Sequence, residues 1–321
     1  MSTSLVAPVR PGPIPVVAAS LTLLLAVAAG VHLFWRPSPW VHTFELLMTG
    51  VVLLGAIAST IIAPTSLVWP RIITAAGLLA VGEGILVARL AGHQCFVFDV
   101  LPDPRYTAFL AAVVGATMVG LLARRVWGRW VAVGLGLCGA VSSGLNAIWW
   151  LSAADGQTWL YLVGCFCSAL IAINAAAAPM REAFNQGSPG ARLWGSPARV
   201  VRVVRWMVLV NLPAIPMLLV YAWVQPVVPA TRTSAVVLAA LLVAGTVLCM
   251  ARKVVGAWLV AATGLGLLAQ TTATAYLGHA AGPQVFFIAG YYVVFWLPAA
   301  LLSIACGVVL IRPTLELMRR G

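Results

Sequence analysis

The sequence predicts an all-α membrane protein, a polytopic bundle of about ten transmembrane helices with a parallel internal repeat. Three observations support this fold class. The 321-residue chain is 62% hydrophobic and only 8% charged, whereas a soluble domain carries roughly 25% charged residues. Its apolar runs are long enough to cross a bilayer, and its basic residues cluster in the breaks between them. A water-soluble fold of this size could not bury so much apolar surface.

Ten runs approach or exceed the roughly 20 mostly apolar residues that a helix needs to cross the hydrocarbon core. Short segments rich in Pro, Gly, Asp and Arg separate them. The last run is long and contains Pro298, which predicts a kink or a tilt. The candidate spans are 16–35, 42–63, 71–91, 107–123, 130–151, 159–179, 206–224, 234–250, 255–277 and 285–311.

The first span has a competing interpretation as a cleaved signal peptide. Arg10, the apolar stretch that starts at Val16 and the triplet Ala26-Val27-Ala28 resemble such a peptide with its cleavage site. The stretch stays apolar to Trp35, which is longer than a signal core needs. We therefore favour an uncleaved anchor, and the orientation of the later spans does not depend on this choice.

The basic loop clusters orient the helices. If both termini are cytoplasmic, every dense cluster falls on the cytoplasmic side, as the positive-inside rule requires. The formal net charge of +12 therefore indicates topology and not a nucleic-acid partner. Lys253 is the only lysine beside eighteen arginines, and this bias suggests a G+C-rich bacterial genome. We expect a multi-pass protein of the bacterial cytoplasmic (inner) membrane. The clusters are Arg124, Arg125 and Arg129; Arg181, Arg192, Arg199, Arg202 and Arg205; Arg252 and Lys253; and Arg312, Arg319 and Arg320.

An internal repeat is visible in two loops. Residues 121–137 and 248–267 share the motif Ala-Arg-(Arg/Lys)-Val-x-Gly-x-Trp at an offset of 128 residues. Helices of Ala, Gly, Leu and Val resemble one another by composition alone, but a loop match of this length exceeds that. The motif predicts duplication of spans four to six onto spans eight to ten, in parallel orientation. A weaker third copy covers 54–79.

The domain organisation follows from the spans and the repeat. The one substantial loop has Pro and Gly residues that argue against a continuous helix, and we expect its arginines to contact anionic lipid headgroups. Docking of another membrane subunit on this loop is the alternative. The segments are a cytoplasmic N-terminal segment 1–15, spans one to six within 16–179, a basic cytoplasmic linker 180–205, spans seven to ten within 206–311, and a cytoplasmic tail 312–321.

Glu83 is the one acidic residue deep inside a predicted span. At 1.5 Å per residue it lies about 18 Å outward from Arg71, slightly past the midplane. An ionised carboxylate there costs several kcal/mol, so the side chain should be neutral, paired or beside water. The flanking Gly82 and Gly84 would let another helix approach closely. A proton or substrate site and a hydrogen-bonded packing residue both remain open.

Several polar residues fall in the outer halves of the spans. His32, Asn146 and Gln270 are the members we group with Glu83 as a candidate site for substrate binding or proton coupling. This pattern predicts a polar vestibule that faces outward. The alternative is that these groups bond locally to backbone carbonyls, as Ser and Thr often do in membrane helices.

The sequence predicts no cofactor and no metal. His93 and His279 follow a glycine at the ends of two helices, where haem ligation would need deeper partners, so we interpret them as solvated residues beside helix caps. His42 and Glu45 have only His32 as a third ligand. Since no HExxH, GxSxG or Walker-type motif occurs, we expect no catalytic residues and no enzyme activity.

Two functional classes are compatible with this organisation. The first is a carrier or permease-like protein for a small or lipid-like molecule, with an outward-facing polar site near Glu83. The second is a non-catalytic membrane subunit that scaffolds a larger complex through the 180–205 linker. The duplication and Glu83 favour the first class, and the scarcity of charge inside the spans favours the second.

Overall fold

The computed structural model describes residues 68–90, 104–152, 158–185, 197–223, 231–251 and 253–318. Within these ranges every regular element is an α-helix and no strand occurs. The helices are α1 (Trp69–Leu90), α2 (Pro104–Leu122), α3 (Val126–Ser152), α4 (Thr158–Ala176), α5 (Ala178–Asn185), α6 (Pro197–Trp223), α7 (Arg232–Met250), α8 (Val254–Ala280) and α9 (Pro283–Met318).

The described helices have the length and composition of membrane spans. Seven of them are long and apolar enough to cross a bilayer, and α4 with α5 forms an eighth unit, bent by 54° at Ala177. These eight units coincide with the third to the tenth predicted spans, which indicates a helical membrane bundle. The first two predicted spans, 16–35 and 42–63, and both termini lie outside the described residues.

The predicted linker 180–205 contains helical structure at both of its described ends. Helix α5 enters it from Ala178, and α6 begins at Pro197 instead of at the predicted residue 206. Hydropathy counting stops at the first arginines, but arginine is a good helix former, and the backbone hydrogen bonds continue through it. Pro197 is the first residue of α6, where its missing N–H leaves no bond unmade.

The eight long helices pack as two groups of four. In the first group α1 contacts α2 and α4, and α3 contacts the same two helices, so the group closes on itself. In the second group α6 and α8 each contact α7 and α9 in the same manner. Helices α3 and α6 join the groups, and each group has its own core of buried apolar side chains.

The helix bounds of the two groups correspond at the same offset of 128 residues that the loop motif shows. Both ends of α2 map onto the ends of α7, and both ends of α3 map onto those of α8. The start of α1 maps onto the start of α6. The correspondence therefore begins one helix earlier than the predicted repeat of spans four to six.

The two turns that carry the shared motif have the same backbone hydrogen bonds. In each turn two backbone N–H groups donate to carbonyls of the last turn of the preceding helix. One belongs to the first residue after that helix, and the other belongs to the last residue before the next helix. The shared motif is thus the sequence of one particular helix–turn–helix connection. The bonds are Ala123 N to Val119 O (2.9 Å), Arg125 N to Gly120 O (2.7 Å), Ala251 N to Val247 O (2.8 Å) and Lys253 N to Leu248 O (2.8 Å).

The motif glycine allows the two helices of each hairpin to touch. A Cβ atom added at Gly128 would lie 2.5 Å from the carbonyl carbon of Gly120, and one added at Gly256 would lie 2.5 Å from the backbone nitrogen of Cys249. Real Cβ atoms do not come this close to a backbone atom. Both positions are glycine because only a residue without a side chain fits there.

Helix α8 ends later than the sequence suggested. Gly278 is helical, and a Cβ atom added to it would lie 2.7 Å from Ala289 Cβ. The stop comes at Gly282, whose φ of +115° is a conformation that residues with a Cβ atom rarely adopt. His279 is therefore an exposed residue of the last helical turn, where its ring lies edge-on to Phe286 with centroids 5.5 Å apart.

Candidate functional site

Glu83 lies on the side of α1 that packs against α2. Its Oε1 is 3.6 Å from the position of a Cβ atom added at Gly115, so its carboxyl group lies against the backbone of α2. The side chain is half-buried, and its Oε2 is buried without a hydrogen-bond partner among the described residues. The residue therefore faces a neighbouring helix and has an acceptor available for a proton or a ligand.

The close approach at Glu83 comes from a glycine of the facing helix and not from Gly82. A Cβ atom added at Gly82 would meet no described atom within 4 Å. Gly115 makes room for the carboxyl group instead, and no sequence pattern distinguishes it from the rest of the 29 glycines. Only the pairing of α1 with α2 reveals its role.

The second helix group has a polar residue at the position that corresponds to Glu83. At an offset of 128 this residue is Asn211 in α6, which is fully buried. Its Nδ2 donates to the Met207 carbonyl (2.7 Å) and to the Ser303 hydroxyl of α9 (2.6 Å). Its Oδ1 has no partner among the described residues. In both groups the residue at this register therefore has a buried side-chain oxygen that lacks a partner among the described residues.

Gln270 is hydrogen-bonded to the start of α7. Its Oε1 accepts from the Ser234 hydroxyl (2.6 Å), and its Nε2 donates to the Thr231 carbonyl (3.3 Å). Ser234 Oγ is also 2.8 Å from the same carbonyl, so its single hydroxyl hydrogen is shared between the two acceptors. These contacts tie α8 to the first turn of α7, which is the kind of local bonding that the alternative interpretation expects.

Asn146 also bonds locally, and its neighbours lead to the second helix group. Its Nδ2 donates to the Ser142 carbonyl one turn earlier (2.9 Å). The Ser142 hydroxyl forms a short hydrogen bond with the Tyr291 hydroxyl of α9, and Asn146 lies beside the same hydroxyl. Asn146 therefore lies where α3 meets the second group.

Four aromatic side chains connect the surroundings of Asn146 with those of Gln270. We call Tyr221, Tyr291, Tyr292 and Trp296 the aromatic cluster. Tyr292 lies edge-on to Tyr291 (5.7 Å) and to Tyr221 (5.1 Å), and it stacks on Trp296 (5.4 Å). The Tyr221 hydroxyl reaches Thr231 Oγ1 at 2.5 Å, next to the carbonyl that Gln270 binds. Asn146 and Gln270 thus lie at opposite ends of one continuous set of contacts.

Removing the Tyr221 hydroxyl should lower the stability of the protein without changing the packing of the aromatic cluster. We expect Tyr221→Phe to lower the free energy of unfolding by about 1 kcal/mol, because the buried hydroxyl of Thr231 loses its bond while the edge-on ring contacts remain. Thermal unfolding in detergent measures the change. An unchanged melting temperature would show that the bond between Tyr221 and Thr231 adds no stability.

The structure brings together some of the predicted site residues and not others. Asn146 and Gln270 are linked through the aromatic cluster, whereas Glu83 has its described contact with α2 in the first group. His32 lies outside the described residues. Among the described residues, no three His, Cys, Asp or Glu side chains are grouped closely enough to hold a metal ion.

The site geometry has three parts. Between α1 and α2 a carboxyl oxygen lacks a partner among the described residues, and an asparagine lies at the corresponding position of the second group. A hydrogen-bonded aromatic cluster lies between the surroundings of Asn146 and those of Gln270. No protein-family model matches the chain, and no curated protein or solved structure does so either.

Proposed function

We propose that this membrane protein is a carrier for a small or lipid-like molecule and that Glu83 is its site for proton or substrate coupling. The proposal includes the bacterial inner membrane as the location. The second candidate is a non-catalytic subunit that scaffolds a larger complex. The observation that carries the first proposal is that Oε2 of Glu83, inside an apolar helix, is buried and has no hydrogen-bond partner among the described residues.

A carboxyl group in this position has two stable states. It is neutral when it holds a proton, and it tolerates a negative charge only when a cation or water compensates for several kcal/mol of desolvation. A purely structural residue would have its oxygens satisfied by neighbouring donors. Since Oε2 of Glu83 has no such donor in the described chain, an exchangeable proton or a ligand group is the natural partner.

The proposed mechanism is movement of the repeated helix groups relative to each other. The proposal interprets the corresponding helix bounds and turns of α1–α4 and α6–α9 as a parallel duplication. Helices α3 and α6 pack together between the groups, and the aromatic cluster reaches α3 through the bond between Tyr291 and Ser142. Protonation of Glu83 would change the α1–α2 packing at Gly115, and Asn146 and Gln270 would face the outward-opening side.

Scaffolding remains a specific alternative because several apolar side chains are exposed on the long helices. Phe166 of α4, Ile148 of α3 and Val308 of α9 are each more than 60% exposed within the described chain. Lipid or a protein partner would both cover such faces. The linker 180–205 is the proposed contact for a partner subunit.

Proteoliposomes with an internal pH dye distinguish the two functions. Four classes of solute are added outside the liposomes: neutral solutes, organic cations, organic anions and short-chain lipids. We expect one of these classes to move protons across the membrane of liposomes that contain the wild-type protein. Glu83→Gln should reduce that movement to the rate of protein-free liposomes, because glutamine cannot exchange a proton. Glu182→Gln, at an exposed acid of α5, is the control and should keep the wild-type rate.

The opposite result would support the scaffold. If no solute class moves protons, while native gels of membranes with Glu83→Gln show a complex of altered size, the carrier proposal is wrong. Equal proton movement in the wild-type protein and in Glu83→Gln would also contradict it, because coupling would then not depend on this carboxyl group. Melting temperatures of both variants verify that the fold is intact.

A further inference from the structure

Arg129 is a buried cation, and two of its three side-chain nitrogens lack partners among the described residues. It is the fourth residue of α3 and only 3% exposed, yet its Nε and Nη1 have no hydrogen-bond partner among the described residues. The ring of Trp130 covers the guanidinium, with the central carbon 4.8 Å from the ring centroid. This cation–π contact leaves the in-plane N–H groups without acceptors.

Two further arginines face Arg129 from neighbouring helices. Arg181 of α5 and Arg205 of α6 lie close enough for their charges to repel it. Helix α3 packs against both α5 and α6, so the three arginines belong to helices that come together where the two helix groups join. Arg129 and Arg181 also lie near the N-terminal ends of their helices, where the helix dipole adds positive potential.

Like charges are not brought together in a buried position without a counter-ion. An uncompensated buried guanidinium costs several kcal/mol, and each neighbouring arginine adds to this cost. Glu182, the acid next to Arg181 in the sequence, has an exposed side chain. An anion with several acceptor oxygens would satisfy the N–H groups of Arg129 and neutralise the repulsion in one step.

We infer that the junction of α3, α5 and α6 is a binding site for a phosphate group, with Arg129 as its buried donor and Arg181 and Arg205 at its rim. The phosphate belongs either to an anionic lipid headgroup or to a free phosphate ion. This differs from general attraction of the linker arginines to the membrane surface, because Arg129 belongs to the helix bundle and has a fixed position. The site does not depend on the function proposed for Glu83.

Thermal unfolding of the delipidated full-length protein tests this site. One arm adds inorganic phosphate in detergent, with chloride at matched ionic strength as its reference. The other arm adds phosphatidylglycerol, with phosphatidylcholine as its reference. We expect the melting temperature to rise in at least one arm above its reference. Stabilisation by inorganic phosphate identifies a free anion as sufficient, whereas stabilisation by phosphatidylglycerol alone identifies a lipid headgroup.

Variants connect the stabilisation to the three arginines. In Arg129→Gln the half-saturating concentration of the active probe should rise at least about tenfold, the loss expected when one charged hydrogen-bond donor worth roughly 1.5 kcal/mol is removed. If this variant does not fold, Arg181→Gln at the rim should still weaken the stabilisation. Arg125→Gln, at the exposed arginine just before α3, should have the same half-saturating concentration as the wild-type protein. No stabilisation in either arm, or equal stabilisation of Arg181→Gln and the wild-type protein, overturns the proposal.

Discussion

Replacing Gly128 or Gly256 with valine is expected to lower the free energy of unfolding by about 3 kcal/mol or more, at the upper end of what an overpacked core costs. Each glycine lies against the backbone of the preceding helix. A Cβ atom added to it would be 2.5 Å from the nearest backbone atom of that helix. Backbone cannot move aside as the end of a flexible side chain can. The hairpin must therefore open at the turn, and it loses the packing around its neighbours.

A matched substitution separates this effect from the general cost of a β-branched residue in a helix. A Cβ atom added at Gly290 of α9 would have no described atom within 4 Å, so Gly290→Val should change the melting temperature little. Circular dichroism during heating in detergent gives all three values. Similar melting temperatures for Gly128→Val and Gly290→Val would show that the α2–α3 contact is not tight.

Much of the fold could be predicted because the positions of the membrane spans depend on one quantity, the hydropathy of the chain. Each span needs a continuous apolar run, and all eight described units coincide with runs that were counted from the sequence. The grouping of the helices could not be predicted in this way. Apolar helices in lipid do not differ enough in composition to show which pairs touch, and the closed rings of α1–α4 and α6–α9 became visible only in the structure.

The candidate site was predictable only for residues that are chemically unusual for their position. Glu83 was recognisable because a carboxyl group in an apolar run is costly. Asn211 is a single polar residue in an apolar run, and its correspondence with Glu83 appears only when the helix bounds of α1 and α6 are compared. Arg129 was counted as a loop cation, since its burial depends on α5 and α6, which are distant in sequence.

The equivalence of Asn211 and Glu83 leads to the second large effect. We expect Asn211→Asp to lower the free energy of unfolding by about 3 kcal/mol or more at neutral pH. The position is fully buried, and an ionised aspartate would lose both bonds that the amide donates, to Met207 and Ser303. A buried carboxylate without a cation pays its desolvation cost in full.

This loss of stability should depend on pH in a defined direction. Above about pH 4 the aspartate is ionised in the unfolded chain, while the buried position favours the protonated form in the folded chain. Folding then requires uptake of a proton, so the stability of Asn211→Asp relative to the wild-type protein falls as the pH rises and recovers in acid. Melting temperatures between pH 4 and pH 8 measure it.

Asn211→Leu is the control for the loss of the amide itself. It removes the polar group without adding a charge, so its stability relative to the wild-type protein should not change with pH. If Asn211→Asp is as stable as the wild-type protein at every pH, the position has access to water or a cation that the described contacts do not supply. If the variant behaves as expected, this register accommodates a carboxyl group only in its protonated form. Glu83 lies at the same register in the first group, and its Oε2, the oxygen without a partner among the described residues, is then the proposed position of an exchangeable proton.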